Sequence, residues 1–229
     1  MKFKILVVSV FFICSVLPGI SLAQSKVVVI PLLSDKGNEI PTVTSATGRV
    51  WMDRNLGAYR VAQSMDDYQA YGWLYQWGRL ADGHEVRGSE ITSTNSAVNV
   101  PGHDNFITEL DSPYDWRIPQ NVNLWQGVSG DNNPCPAGFR LPTAWEWEIE
   151  VASWDSDDAA GAYASPLKLV LAGSRIYTDG LVYNEGINGQ YWSSTVFDIY
   201  ARFMYFNSAP AHVGTQRRAE GLSVRCIKD

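Results

Sequence analysis

From residue 165 onward the apolar positions of this chain follow a period of two. Leu167, Leu169 and Leu171 alternate with other residues, as in a strand with two distinct faces. "SRIYTDGLVYN" reads as a hairpin turning at Thr178-Asp179-Gly180. "GQYWSST", "IYARFMYF" and "GLSVRCIK" are three further strand candidates, separated by Gly, Asn, Ser and Pro. "GRVWMDRNLG", near residue 50, predicts the first strand of the domain.

Upstream the pattern changes. Tyr71, Leu74 and Trp77 recur at helical spacing, which predicts a helix. Tyr71, Trp73, Tyr75 and Trp77 also alternate, so a strand remains open, and Gly72 and Gly78 weaken both readings. The rings themselves are expected in the core. Residues 80–135 are long, polar and irregular, with Trp116 and Trp125 as the anchors that pin them to the body.

The clearest local signal is "RLPTAWEWE". Pro142 forces an extended entry, and Thr143 with Glu146 three residues later forms a capping box. A helix is predicted from about Ala144 to Ser153. Trp145, Glu148 and Ile149 lie along one side of it, and Trp147, Val151 and Trp154 along another. Two helical segments followed by a run of hairpins make the fold class α+β, with two helices, small antiparallel sheets and long loops. No internal repeat of 20–50 residues is visible.

The first residues belong to export. Lys2 and Lys4 precede an apolar run from Ile5 to Leu17, and Ser21-Leu22-Ala23 presents small residues at the cleavage positions. Residues 1–23 are thus expected to be a signal peptide cut after Ala23, with no membrane span afterwards. Residues 24–41 read as a leader or linker, with Lys26–Leu33 as a candidate edge strand. The domain proper spans 42–229. The expected location is secreted, periplasmic or at the outer surface.

Of 18 Lys and Arg, two leave with the signal, so 16 stand against 24 Asp and Glu, a net charge of −8. Without a basic cluster, a nucleic-acid partner is excluded. Of three cysteines, Cys14 lies in the signal, leaving Cys135 and Cys226. In an oxidising compartment these two are expected to form a disulfide, the other reading being two buried thiols.

Catalytic patterns are missing. "HEVRGSE" is not a zinc-protease motif, and the three histidines, His84, His103 and His212, lie in distant segments. No nucleophile elbow or phosphate-binding glycine loop occurs. Glu146 and Glu148 look like an acid pair, but the capping box already uses Glu146. Ser193-Ser194 sits in a strand candidate and is expected to make structural hydrogen bonds. No catalytic residue, metal site or cofactor is assigned. Structural calcium stays open only at "GDNNP", which reads first as a turn before Pro134. Among the tryptophans, Trp125 and Trp154 are the candidates to be left exposed for stacking on sugar rings.

"TGRVWMDRNLGA", "YGWLYQWGRLADGHE", "NPCPAGFRLPTAWEWE", "SPLKLVLAGSR", "YWSST" and "GLSVRCIKD" occur in that order. Together they resemble the Fibrobacter succinogenes major paralogous domain family over about residues 42–229. The resemblance implies a C-type-lectin-like fold, in which the ends of the chain meet in a small terminal sheet beside a second, loop-rich sheet. "RLPTAWEWE" and "SVRC" are also similar to parts of the formylglycine-generating enzyme family. Those enzymes use a cysteine pair and copper, and this chain lacks their "GNVWEW" stretch. The sugar-binding motifs of calcium-dependent lectins are also missing. In variable proteins that share the fold, ligands bind between a "YWSS"-like strand and the last "RC" strand. By that resemblance the ligand surface here is residues 195–217, with Phe197, Asp198, Tyr200, Asn207, His212, Gln216 and Arg217. Arg202 and Arg218 are expected to make structural pairs. The function implied is non-catalytic binding of a glycan or protein ligand. An oxidase of the formylglycine-generating type is the alternative. A structural component of a surface assembly, pairing through residues 24–41, is a further one. The sequence assigns no oligomeric state.

Overall fold

The computed structural model describes residues 40–229, which lie in one compact unit. The expected signal peptide and the candidate strand Lys26–Leu33 lie outside the described residues. Within them, the two ends of the domain share one antiparallel sheet, ordered β1-β2-β13-β6. It comprises β1 (Thr42–Thr44), β2 (Val50–Met52), β6 (Phe139–Arg140) and β13 (Ile227–Lys228). Ile227 is in register with Trp51 on one side and Arg140 on the other. Two other antiparallel sheets carry the rest of the body. One contains β3 (Tyr75–Gln76), β7 (Ser174–Arg175), β8 (Val182–Tyr183) and β12 (Gly221–Leu222), ordered β3-β12-β7-β8. The other contains β9 (Gly189–Phe197), β10 (Tyr200–Phe206) and β11 (His212–Gln216), ordered β11-β10-β9. A parallel pair, β4 (Ile91–Thr92) and β5 (Phe106–Ile107), orders part of the long loop. With helices α1 (Ala144–Ala152) and α2 (Ala159–Ala164), the class is α+β.

The expected hairpin forms: Ser174 pairs with Tyr183 and Arg175 with Val182. The capping box forms as well. Glu146 N–H donates to Thr143 Oγ1 at 3.2 Å, and Thr143 N–H donates to Glu146 Oε2 at 2.8 Å. Cys135 and Cys226 form the disulfide across 91 residues, tying the loop before β6 to the approach to β13.

Three expectations are corrected. Residues 71–77 do not form a helix. Gly72 and Gly78 have φ of +69° and +82°, so the chain turns at both, and only Tyr75–Gln76 pairs, as β3. A Cβ on Gly72 would clash with Leu56 O. The rings disperse: Tyr71 joins one cluster with Val170 and Ala172, while Tyr75 and Trp77 join another with Trp116 and Trp192. The second helix is instead α2, started by Asp158, whose carboxylate accepts from Ala160 and Gly161 N–H.

The second correction concerns Leu167, Leu169 and Leu171. Their alternation is real, since all three enter one cluster while Val170 and Ala172 enter another. Yet they form no strand. Leu169 N–H donates to Ala162 O and Leu171 N–H to Met65 O, and between them the Tyr191 hydroxyl both donates to Val170 O and accepts from Val170 N–H.

The third correction concerns Trp125 as a ring for sugar stacking: it is fully buried, as its part as a loop anchor requires, with its indole N–H donating to Asn132 O at 2.8 Å. It pins the loop, as does Trp116, whose indole donates to Trp77 O. Trp77 donates to Ser193 O, Trp147 to Trp192 O and Trp192 to Tyr75 O. Each ring thus fills core volume while its one polar atom is satisfied by a backbone carbonyl of another element. Among the described residues, no helix is long and apolar enough to cross a membrane.

Candidate functional site

Helix α1 packs across the three-stranded sheet β11-β10-β9. Its buried residues are Ala144, Trp147 and Glu150. The adjoining side, Trp145, Glu148 and Val151-Ala152, runs along the seam with the sheet. Two shallow depressions lie there. One, of about 320 Å³, is lined by Thr143, Ala144, Trp145, Glu148, Thr195, Val196, Phe197 and Arg202. The other, of about 310 Å³, is lined by Glu148, Val151, Ala152, Asp157, Ala211, His212 and Val213. Glu148 belongs to both.

Trp145 is 67% exposed and Phe197 56%, although both are large apolar residues. Between them, Arg202 lies over the Phe197 ring at 5.9 Å and donates to Val213 O at 3.2 Å and Glu148 Oε1 at 3.5 Å. Arg202 is therefore at the rim of the seam and not enclosed, whereas Arg218 is fully buried over the Trp77 ring, with Asp115 3.6 Å away. Arg218 also donates to Asp198 O at 3.0 Å, and Gln120, bound to Asp115, donates to Ile199 O. The β9–β10 turn is thereby held from below. Asp198 itself takes φ +54° at the tip.

The seven residues expected to form one ligand surface divide into two groups. Phe197, Asp198, Tyr200, Gln216 and Arg217 lie at one end of the sheet, where Tyr200 pairs with Phe197 and Ala201 with Gln216. Asn207 and His212 lie at the other, where Tyr205 pairs with His212. About 20 Å of strand separates them. Several of these side chains are engaged. Arg217 stacks between Tyr114 and Tyr177 at 5.0 and 4.8 Å, and Gln216 Oε1 accepts from Arg217 N–H. Asn207 Nδ2 donates to the Tyr205 hydroxyl, against whose ring His212 packs at 5.2 Å. Phe197 lines the first depression and His212 the second.

Sequence reasoning missed Trp145, Glu148 and Arg202 as a group. The available signal was a second tryptophan two positions before Trp147, and so on the opposite side of α1, with Glu148 one turn further along.

One cluster has the composition of a metal site: Asp82, His84 and Glu85 gather their ligand atoms within 4.8 Å. The hydrogen bonding does not fit a metal. Gln76 N–H donates to His84 Nε2 at 3.1 Å, so that nitrogen carries the lone pair. His84 Nδ1 then carries the proton, shared with Asp82 Oδ1 at 2.7 Å. Burial pushes the His84 pKa down to about 4, so it is neutral near pH 7. The group holds the 76–85 turn. At "GDNNP" the side-chain amides hold the loop: Asn132 donates to Gly78 O and Asn99 O, and Asn133 to Phe139 O. Glu146 is bound by Arg140 and Thr143, and Ser193 Oγ donates to Arg202 O.

No protein-family model, curated protein or solved structure matches this chain.

Proposed function

We propose that the chain is an exported, non-catalytic binding domain of C-type-lectin-like fold. It takes a glycan or protein ligand over the depression walled by Trp145 and Phe197. The meeting of β2 with β13 in a terminal sheet supports the fold reading. The observation that carries the functional reading is Trp145. Of 9 tryptophans it alone is largely exposed, and it stands beside a second exposed ring and a charged pair. Exposed aromatics beside hydrogen-bonding groups suit recognition. The disulfide supports export to an oxidising compartment. It also leaves no free thiol among the described residues for an oxidase of the formylglycine-generating type.

The test is an array of immobilised glycans and cell-surface proteins, probed with the wild type and with the Trp145→Ala/Phe197→Ala double variant. Binding that disappears in the folded variant is expected. Binding that survives unchanged places the ligand elsewhere and refutes the assignment.

A further inference from the structure

Building on the proposed binding role, we infer that the whole seam between α1 and the β9–β11 sheet is one extended site for a neutral, linear oligosaccharide. The depressions adjoin along α1. They share Glu148, and Arg202, a wall of the first, donates to the backbone of Val213, a wall of the second. From Trp145 to Ala152 the helix rises about 10 Å. Each depression is near the lower limit of about 300 Å³ for small-molecule clefts. Each therefore suits one small unit, and the pair in line suits a chain of such units.

The chemistry of the walls selects the occupant. Trp145 and Phe197 expose ring faces to stack on the apolar faces of pyranose rings. Glu148, 52% exposed in its side chain, offers a carboxylate to pairs of hydroxyls at the junction. A wholly apolar ligand would cover Glu148 and Arg202 without replacing their water. The charge balance then separates neutral from anionic sugars. Arg202 is shared by Glu148 and Val213 O, and Asp157 adds a carboxylate to the second depression. The chain outside the signal is acidic as well, at −8. A uronate in the second depression would face Glu148 and Asp157 with His212 as the one basic side chain there, a like-charge contact that costs affinity.

The experiment titrates the exported protein with di- and tetrasaccharides of β-1,4-glucan, α-1,4-glucan, xylan and mannan, and with galacturonate tetramers. Calorimetry gives affinity, and acrylamide quenching of the exposed Trp145 locates it. At least one neutral series is expected to gain about tenfold in affinity from two units to four. Ala152→Arg, an exposed helix position beside the second depression, should remove that gain and leave disaccharide binding intact. Trp145→Ala should lose both. Galacturonate should bind about tenfold more weakly than the best neutral tetramer and recover in Glu148→Gln/Asp157→Asn.

Failure of every neutral tetramer to bind, equal binding of galacturonate, or indifference to Ala152→Arg would overturn the inference. The simpler reading fails separately, when ligand capture is indifferent to Trp145→Ala. A protein ligand that requires Trp145, with no neutral tetramer bound, keeps the reading and removes the oligosaccharide.

Discussion

Glu148 of α1 and Arg202 of β10, 54 positions apart in sequence, face each other at 3.5 Å across the junction of the two depressions. Glu148 is half exposed and Arg202 26% exposed, so the pair's own contribution to stability is small, at most about 1 kcal/mol. Its position matters more, because Arg202 also covers the Phe197 ring. Arg202→Ala is expected to leave thermal unfolding nearly unchanged while weakening ligand capture about tenfold. Parallel calorimetric and binding measurements on one preparation separate the two effects. A large loss of stability would mark Arg202 as structural.

The Cys135–Cys226 bond closes a loop of 91 residues. In the chain-entropy model such a loop contributes about 4–5 kcal/mol. Cys135→Ser/Cys226→Ser should lower the denaturant midpoint accordingly, and reductant should do the same to the wild type. Thiol labelling of residues 24–229, before and after reduction, should find none and then two. Two labelled thiols without reduction would contradict the bond.

Thr143 satisfies one orphan N–H of α1 and Glu146 returns the contact, while Arg140 binds the same carboxylate at 2.8 and 2.9 Å and reaches Asp229 at 2.7 Å. Thr143→Ala is expected to cost about 1 kcal/mol. Glu146→Ala should cost more, since it frees the cap, Arg140 and Arg49 together. Urea unfolding of both variants checks the order, and equal costs would show that the arginine contacts add nothing.

Stability should fall as pH rises from about 4.5 to 7. Burial pushes Asp115 up to about 6, outweighing Arg218, and pushes Glu220 up to about 7. Both carboxyls bind protons more tightly folded than unfolded. Each therefore stabilises fully below its unfolded pKa, and that contribution is lost as pH rises through the folded value. His84, lowered to about 4, acts oppositely: its contribution is present above its unfolded value and lost as pH falls. Two carboxyls against one imidazole leave a net decline. Melting temperatures across this range test it. Asp115→Asn/Glu220→Gln should flatten the decline, since His84 is then opposed only by the buried Glu85 and Glu150, whose carboxyls burial also pushes up. A slope unchanged by the double variant would show that these carboxyls titrate normally.

The parts of the fold legible in the sequence are those set by neighbours along the chain or by counting. The helix at Ala144 follows from Thr143 and Glu146 three residues apart. The hairpin at Thr178-Asp179-Gly180 follows from local turn chemistry. The disulfide follows from there being two cysteines after residue 23.

What the tertiary structure decided is where each face ends up. Tyr71–Trp77 carries helical and strand spacing at once. The outcome turned on Gly72 lying against Leu56 O and on Leu222 of β12 arriving from 147 residues away to pair with Tyr75. Leu167–Leu171 alternates like a strand but finds a tyrosine hydroxyl and loop carbonyls where a ladder would be. Trp125 and Trp145 are the same residue type in equally polar surroundings. One is buried because Trp77 and the Asn132 carbonyl close over it, and the other is exposed because Trp147, two positions on, takes the core side of α1. Periodicity names the two sides of a helix. Which side is covered depends on strands 50 to 70 residues distant, and the candidate site lies where that cover stops.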